Sequence, residues 1–215
     1  MKKVLLLLLS ISLFSCGGDD STPAPTPTTT DVAYFRANLN GSLLDYTQNS
    51  SFAPAYYNSL GTGFSGNGFD RSHYYASDMV PGSGADYPQI GITYHNMYVT
   101  NDSSTESAAF YGLFSPAPTN FITDTQEDNW EKGVEVGYYK ADGTYYSTLK
   151  GSQSGSTITV TSKKETISRG LGGDVRFVKL TGTVNCKLYD YWNPSADPIV
   201  LTNGKFKLQF SEYLD

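Results

Sequence analysis

Short runs in which apolar and polar residues alternate, punctuated by Asn-Gly, Asp-Gly and Gly- or Pro-rich breaks, recur along this chain and restrict its fold more than any other feature. Phe35, Ala37 and Leu39 share one face of residues 34–40, and Asn40-Gly41 then leads into Leu43-Leu44-Asp45-Tyr46. Asn-Gly between alternating runs is the strongest short hairpin signal, because both turn positions need positive φ. Ile90, Ile92 and Tyr94 are expected to point inward from 89–97, with Thr93 and His95 outward. Val134, Val136 and Tyr138 alternate likewise, and Asp142-Gly143 turns the chain into a strand over 144–149. Ile158 and Val160 face in from 157–161, and Leu180, Val184, Cys186 and Leu188 share a face of 177–189. Asn203-Gly204 leads into a last strand with Phe206, Leu208 and Phe210 inward and Lys205, Lys207 and Gln209 outward. Period-2 alternation places one face on a core and the other in water, as antiparallel sheets do.

Gly- or Pro-rich stretches at 61–68, 81–84, 116–118, 151–155 and 194–198 read as turns, and 124–132 suits one short helical turn. No longer segment joins helical periodicity to good helix formers. Charged residues make up only 17% of the 215, against roughly 25% in an average domain. Helical bundles and coiled coils need the straight-chain residues that are scarce here. With 17 Tyr, 11 Phe and 2 Trp, the chain also buries too much area to stay open. The expectation is all-β: a single antiparallel β-sandwich, or a partly closed barrel, over residues 32–215.

Residues 1–15 are predicted to be a signal peptide. Lys2 and Lys3 precede an apolar run over residues 4–14, shorter than the roughly 20 residues that cross a bilayer. Leu13-Phe14-Ser15-Cys16 resembles the lipobox of bacterial lipoproteins. That resemblance implies a lipid on Cys16 and an anchor in the membrane. Residues 16–31 then form a flexible tether rich in Ser, Thr and Pro. Asp19-Asp20 directly behind the cysteine is similar to the surface-export signal of Bacteroidetes lipoproteins, which implies the outer membrane with the domain facing outward. Cleavage would remove two lysines and no acid, taking the formal charge from −6 to −6 − 2 = −8. Such acidity offers no nucleic-acid partner. Cys186 is left as the only thiol, so no disulfide framework exists.

Four segments resemble an uncharacterised family of β-sandwich lipoproteins of Bacteroidetes. They are Phe35-Arg36-Ala37-Asn38-Leu39-Asn40-Gly41, the Gly-x-x-Ile-x-Val strand at 155–160, Leu180-Thr181-Gly182-Thr183-Val184, and 199–206. The resemblance implies a fold and a location, and carries no catalytic signature.

The chemical motifs are sparse. Gly61-Thr62-Gly63-Phe64-Ser65-Gly66 matches G-x-G-x-x-G, but Asn67-Gly68-Phe69-Asp70 starts no helix, so a flexible loop is the better account. His73 and His95 read as surface histidines, no serine sits in a nucleophile elbow, and Cys186 reads as a small core residue. No metal site is expected, because two histidines and one core thiol give no short-spaced ligand set. Asp124, Glu127, Asp128 and Glu131 cluster in one polar stretch; they read as a solvated loop rather than a Ca²⁺ site or an opposed acid pair. Aromatic residues remain. Trp130, Tyr191 and Trp192 fall in loops or at strand edges, where flat rings stack on sugars or anchor protein contacts. The leading expectation is a non-catalytic binding module for glycan or protein, with no cofactor. An envelope structural or adhesin-like component comes second, and a hydrolase last.

Overall fold

The computed structural model describes residues 32–48, 56–65, 71–82, 88–98, 110, 112–114, 118–122, 133–170 and 173–214. Its strands are β1 (Tyr34–Leu39), β2 (Ser42–Thr47), β3 (Tyr56–Ser65), β4 (Arg71–Pro81), β5 (Gln89–Tyr98), β6 (Gly133–Tyr139), β7 (Tyr145–Ser147), β8 (Thr157–Gly170), β9 (Gly173–Asp190) and β10 (Ile199–Leu214). They form one antiparallel sheet in the order β2-β1-β10-β9-β7-β6-β5-β4-β3, with β8 paired to β9 off that path. The expected all-β, sandwich-like architecture is present, and the sheet is not closed into a barrel.

One long strand explains how a single sheet becomes two layers. β9 pairs with β10 along one edge; along the other it pairs with β8 up to Asn185 and with β7 at Tyr189 and Asp190. The chain of strands therefore turns at the end of β9 and folds back on itself. Asn58 on β3, the far end of the path, stitches the fold shut. Its Oδ1 accepts from the Gln209 amide on β10 at 2.7 Å, and its Nδ2 donates to the buried Ser77 Oγ at 2.7 Å.

Aromatic packing fills the space between the layers. From β10, Phe206 lies against Phe35 at 6.4 Å, and Phe210 lies edge-on to Tyr94 of β5 at 5.4 Å. Phe110 and Phe114 insert between the layers; Phe114 lies 5.0 Å from Tyr94 and 5.1 Å from Phe210. Nothing in the alternation of the strands predicts this plug, because it comes from a connecting segment. Ile90, Ile92, Val134, Val136, Ile158, Val160, Leu180, Val184, Cys186 and Leu188 are all buried, as alternation requires. Burial also pushes the Cys186 thiol up, which keeps it protonated and suits an inert core residue.

Four expectations need correction, and a fifth is not tested. The G-x-G-x-x-G segment is not a loop, since residues 61–65 lie within β3 paired to β4. The 124–132 turn lies outside the described residues. The strand over 144–149 is shorter than alternation suggests: β7 ends at Ser147, whose Oγ accepts from the Leu149 amide at 3.0 Å and opens a 3₁₀ turn over Thr148–Lys150. Asn203-Gly204 does not open the last strand; it is a bulge inside β10, where the register with β9 shifts between Leu201 and Gly204. Asn203 has φ +54, so the local conformation that Asn-Gly encodes is present, in a bulge instead of a turn. Asn40-Gly41, with φ +49 and +85, does make the expected hairpin. Finally, β8 and β9 run far beyond 157–161 and 177–189. The row of 163–169 that continues the inward face holds Lys163, Glu165 and Ile167, which is 45% exposed. Ion pairs stand there in place of a core: Arg176 lies 2.9 Å from Glu165 and 3.1 Å from Glu212.

Candidate functional site

The outer face of the β4-β5-β6-β7 layer, turned away from the core, carries a cleft of about 740 Å³. It is lined by Tyr74, Thr93, His95, Glu135, Tyr139, Gly143, Tyr145, Leu149, Tyr191 and Trp192. Cross-strand register builds its floor: Tyr74 lies opposite His95, Thr93 opposite Glu135, and Tyr139 opposite Tyr145. The Asp142-Gly143 turn sets that last pair. Gly143 has φ +83, and the Asp142 carboxylate accepts from the Thr144 amide at 2.9 Å.

Glu135 is the centre of the floor and only 7% exposed. Its Oε1 accepts from the Tyr145 hydroxyl at 2.5 Å and from Ser147 Oγ at 2.7 Å, and its Oε2 lies 3.3 Å from His95 Nε2. Burial alone would raise the carboxyl's pKa, but the hydrogen bonds from His95, Tyr145 and Ser147 together outweigh it and hold the group below its ordinary value. A carboxylate offers about four acceptor sites, and three are used here, so Glu135 is fixed in orientation. The Tyr145 hydroxyl is pushed up by burial and by the neighbouring Glu135 charge, so it stays a donor.

Small residues make this depression possible. A Cβ on Gly137 would come within 2.8 Å of the Tyr145 hydroxyl, and one on Gly91 would lie 1.8 Å from Asp78 Oδ1. Gly91 and Gly137 are directly opposite each other, so the Asp78 carboxyl and the Tyr145 hydroxyl both lie across a glycine floor. Burial, and then the charge of Glu135, raise Asp78 to about 6.

The walls are aromatic. Tyr139 stacks on Tyr145 at 4.3 Å and 27°, Tyr145 lies 5.6 Å from Tyr191, and Tyr191 meets Trp192 edge-on at 5.0 Å. Lys150 Nζ sits 4.4 Å over the Tyr191 ring. Asp190 holds the turn that presents these rings, its Oδ1 accepting from the Trp192 and Asn193 amides at 2.9 and 3.1 Å. Trp192 is left 82% exposed at the mouth.

Of the residues singled out from sequence, Tyr191 and Trp192 are brought together in the cleft, while Trp130, Cys16 and the acidic cluster at 124–131 lie outside the described residues. His73 belongs to β4. His95 corrects its expectation: it faces away from the core as alternation predicts, yet it is only 6% exposed. The reason is that Glu135 and the ring of Tyr74, 6.4 Å away, cover it. Asp190 and Asn193, the polar neighbours of these rings in the chain, serve their own turn; Asn193 Oδ1 accepts from Ser195 Oγ at 2.9 Å. Glu135, His95 and Tyr145 take over as the cleft's polar groups. The sequence signal that could have pointed there is Gly137, two residues beyond Glu135 on its own face, which leaves room for the Tyr145 hydroxyl beside the carboxylate; Gly133 on the other side is covered by Ile122 and Asn120. No family model, curated relative or solved structure matches this chain.

Proposed function

We propose that this chain is a lipid-anchored protein of the outer surface whose domain binds glycan in the aromatic cleft, without catalysing a reaction on it. The carrying observation is Trp192 standing 82% exposed at the mouth of a cleft that continues through Tyr191, Tyr145 and Tyr139 to a polar floor. A sugar ring has apolar C–H faces and a rim of hydroxyls. The aromatic wall suits the faces, and His95, Thr93 and Glu135 suit the rim. Hydrolysis of a glycoside calls for two carboxyls facing each other across the bond. Glu135 is the one carboxylate among the described lining residues, and the neighbouring Asp78 lies on the same outer face of the same sheet, so the two do not oppose each other across the cleft. The adhesin-like alternative calls for an uncharged edge strand. The edge strand β2 carries Asp45, bonded to Arg36 at 3.0 Å, a charge of the kind that discourages edge pairing, whereas β3 at the other end of the strand order carries no charged residue and keeps that alternative as the second reading.

Glycan-array binding by the chain from residue 16 onward, carrying Cys16→Ser, tests the ligand. Trp192→Ala is expected to weaken the best hit about tenfold or more while leaving the unfolding midpoint unchanged, since the ring is exposed. An array with no hit, or a Trp192→Ala variant that binds as well as the parent, defeats the reading. The anchor is tested separately in cells: Cys16→Ser is expected to move the protein from the membrane to the soluble fraction, and retention in the membrane would refute lipidation.

A further inference from the structure

The face opposite the cleft has a different chemistry. On β1, β8, β9 and β10 the side chains directed away from the core include Arg36, Lys164, Lys179, Lys187, Lys205 and Lys207. Among the described strand residues of that layer, Asp45 is the only acid at an outward register position. Six cations and one acid give 6 − 1 = +5, on a chain whose formal charge is −6. The arrangement works against sheet stability. Lys164 lies directly opposite Lys179, and Arg36 directly opposite Lys205, and like charges in facing positions destabilise a sheet. The short polar side chains of Thr181 and Thr183 stand between them, and Arg36 lies 5.0 Å over the ring of Tyr34, which itself lies opposite Lys207.

The start of the domain lies at this face. Ala33, two residues beyond the tether, lines a pocket of about 120 Å³ together with Lys179, Lys207, Gln209, Gln48 and Asn58. The segment that leads to the apolar run at residues 4–14 therefore joins the domain beside its cationic surface. Phe210 points from the inner side of β10 toward Tyr94 on the inner side of β5, and Phe206 shares that inner side of β10. Lys205 and Lys207 on β10, and Thr93 and His95 on β5, thus occupy opposite outer faces of the sandwich.

We infer that the lysine face of β8-β9-β10-β1 docks on an anionic, phosphate-bearing lipid surface, which turns the aromatic cleft away from the membrane. The inference rests on the lipid-anchored reading for its biological setting, but the electrostatic contact itself is independent of the lipid. Charge complementarity and the position of the tether both favour a membrane over a soluble polyanion. Each lysine close to an anionic bilayer strengthens binding about fivefold, and the attraction fades within a Debye length.

Cosedimentation with vesicles tests this, using the chain from residue 16 with Cys16→Ser, which retains every described element and carries no lipid. Binding to phosphatidylglycerol-containing vesicles is expected at low salt, with loss at high salt and no binding to phosphatidylcholine alone. Lys205→Gln combined with Lys207→Gln is expected to weaken it about twentyfold or more, with no drop in the unfolding midpoint, because both side chains point outward and the change removes the repulsion between Lys205 and Arg36. Trp192→Ala is expected to leave vesicle binding intact, so failure of the glycan reading and failure of this one are separable. Absence of binding to anionic vesicles, equal binding to phosphatidylcholine, or full binding by the double variant would overturn the inference. So would tighter binding to duplex DNA than to the anionic vesicles, which would identify the face as a nucleic-acid surface.

Discussion

Glu135→Ala is expected to lower the unfolding free energy by about 3 kcal/mol at neutral pH and to abolish ligand binding in the cleft. The truncation strands the Tyr145 and Ser147 hydroxyls and the Nε2 of His95, all three bonded to this carboxylate. Each buried donor left without an acceptor costs roughly 1–3 kcal/mol. The cleft is open, so water reaches part of the gap and the total falls short of three full penalties. Binding suffers because Tyr145 and His95 lose the group that orients them. Glu135→Gln separates the two effects: its amide oxygen still accepts from Tyr145 and Ser147, so a loss of about 1 kcal/mol or less is expected. The pH dependence has a definite sign. The Glu135 carboxyl is held below its ordinary 4.5 in the folded chain, so its stabilisation is present above that value and is lost as pH falls through the lower folded pKa. The gap between parent and Ala variant in urea unfolding is therefore expected to narrow in acid. A Glu135→Ala variant as stable as its parent at neutral pH would mean that the carboxylate does not hold the floor together.

Asp78→Asn is expected to act in the other direction and stabilise the domain above pH 6. Asp78 titrates near 6 when folded against an ordinary 3.8, because burial and the Glu135 charge both disfavour its ionised form. A raised carboxyl contributes most below its unfolded value; the contribution drains away as pH rises through the folded value. The full difference corresponds to about 3 kcal/mol. Asp78 keeps part of its surface in solvent, so a gain on the order of 1–2 kcal/mol is expected for the Asn variant. Urea midpoints measured across the interval from 3.8 to 6 are expected to fall with pH in the parent relative to the variant. Parallel midpoints for the two proteins would show that Asp78 ionises without penalty.

The two carboxyls illustrate how differently legible the parts of this protein are. Strand faces were readable because alternation is a local property: Ile90, Ile92, Val134 and Val136 needed only their own neighbours to be assigned inward, and all are buried. The first hairpin was equally local, since positive φ at Asn40 and Gly41 is a preference of those residues themselves. Asn203-Gly204 has the same preference, and whether it yields a turn or a bulge depended on β9 running alongside to pair with both sides of it. Gly204 shows the constraint: a Cβ there would lie 2.3 Å from the Val184 carbonyl oxygen, on a different strand.

The sequence by itself determined the all-β class, the inward and outward faces, and the exposed aromatic end at Tyr191-Trp192. Tertiary structure alone decided that Glu135 and His95 are buried, since their covering comes from strands far apart in the chain. Asp78, Glu135 and Tyr145 each point away from the core within their own strand. They become coupled only because Gly91 and Gly137 meet across β5 and β6 and leave a floor low enough for neighbouring side chains to lie over it. Period-2 alternation states which face a residue is on; it contains no information about what another strand places above that face.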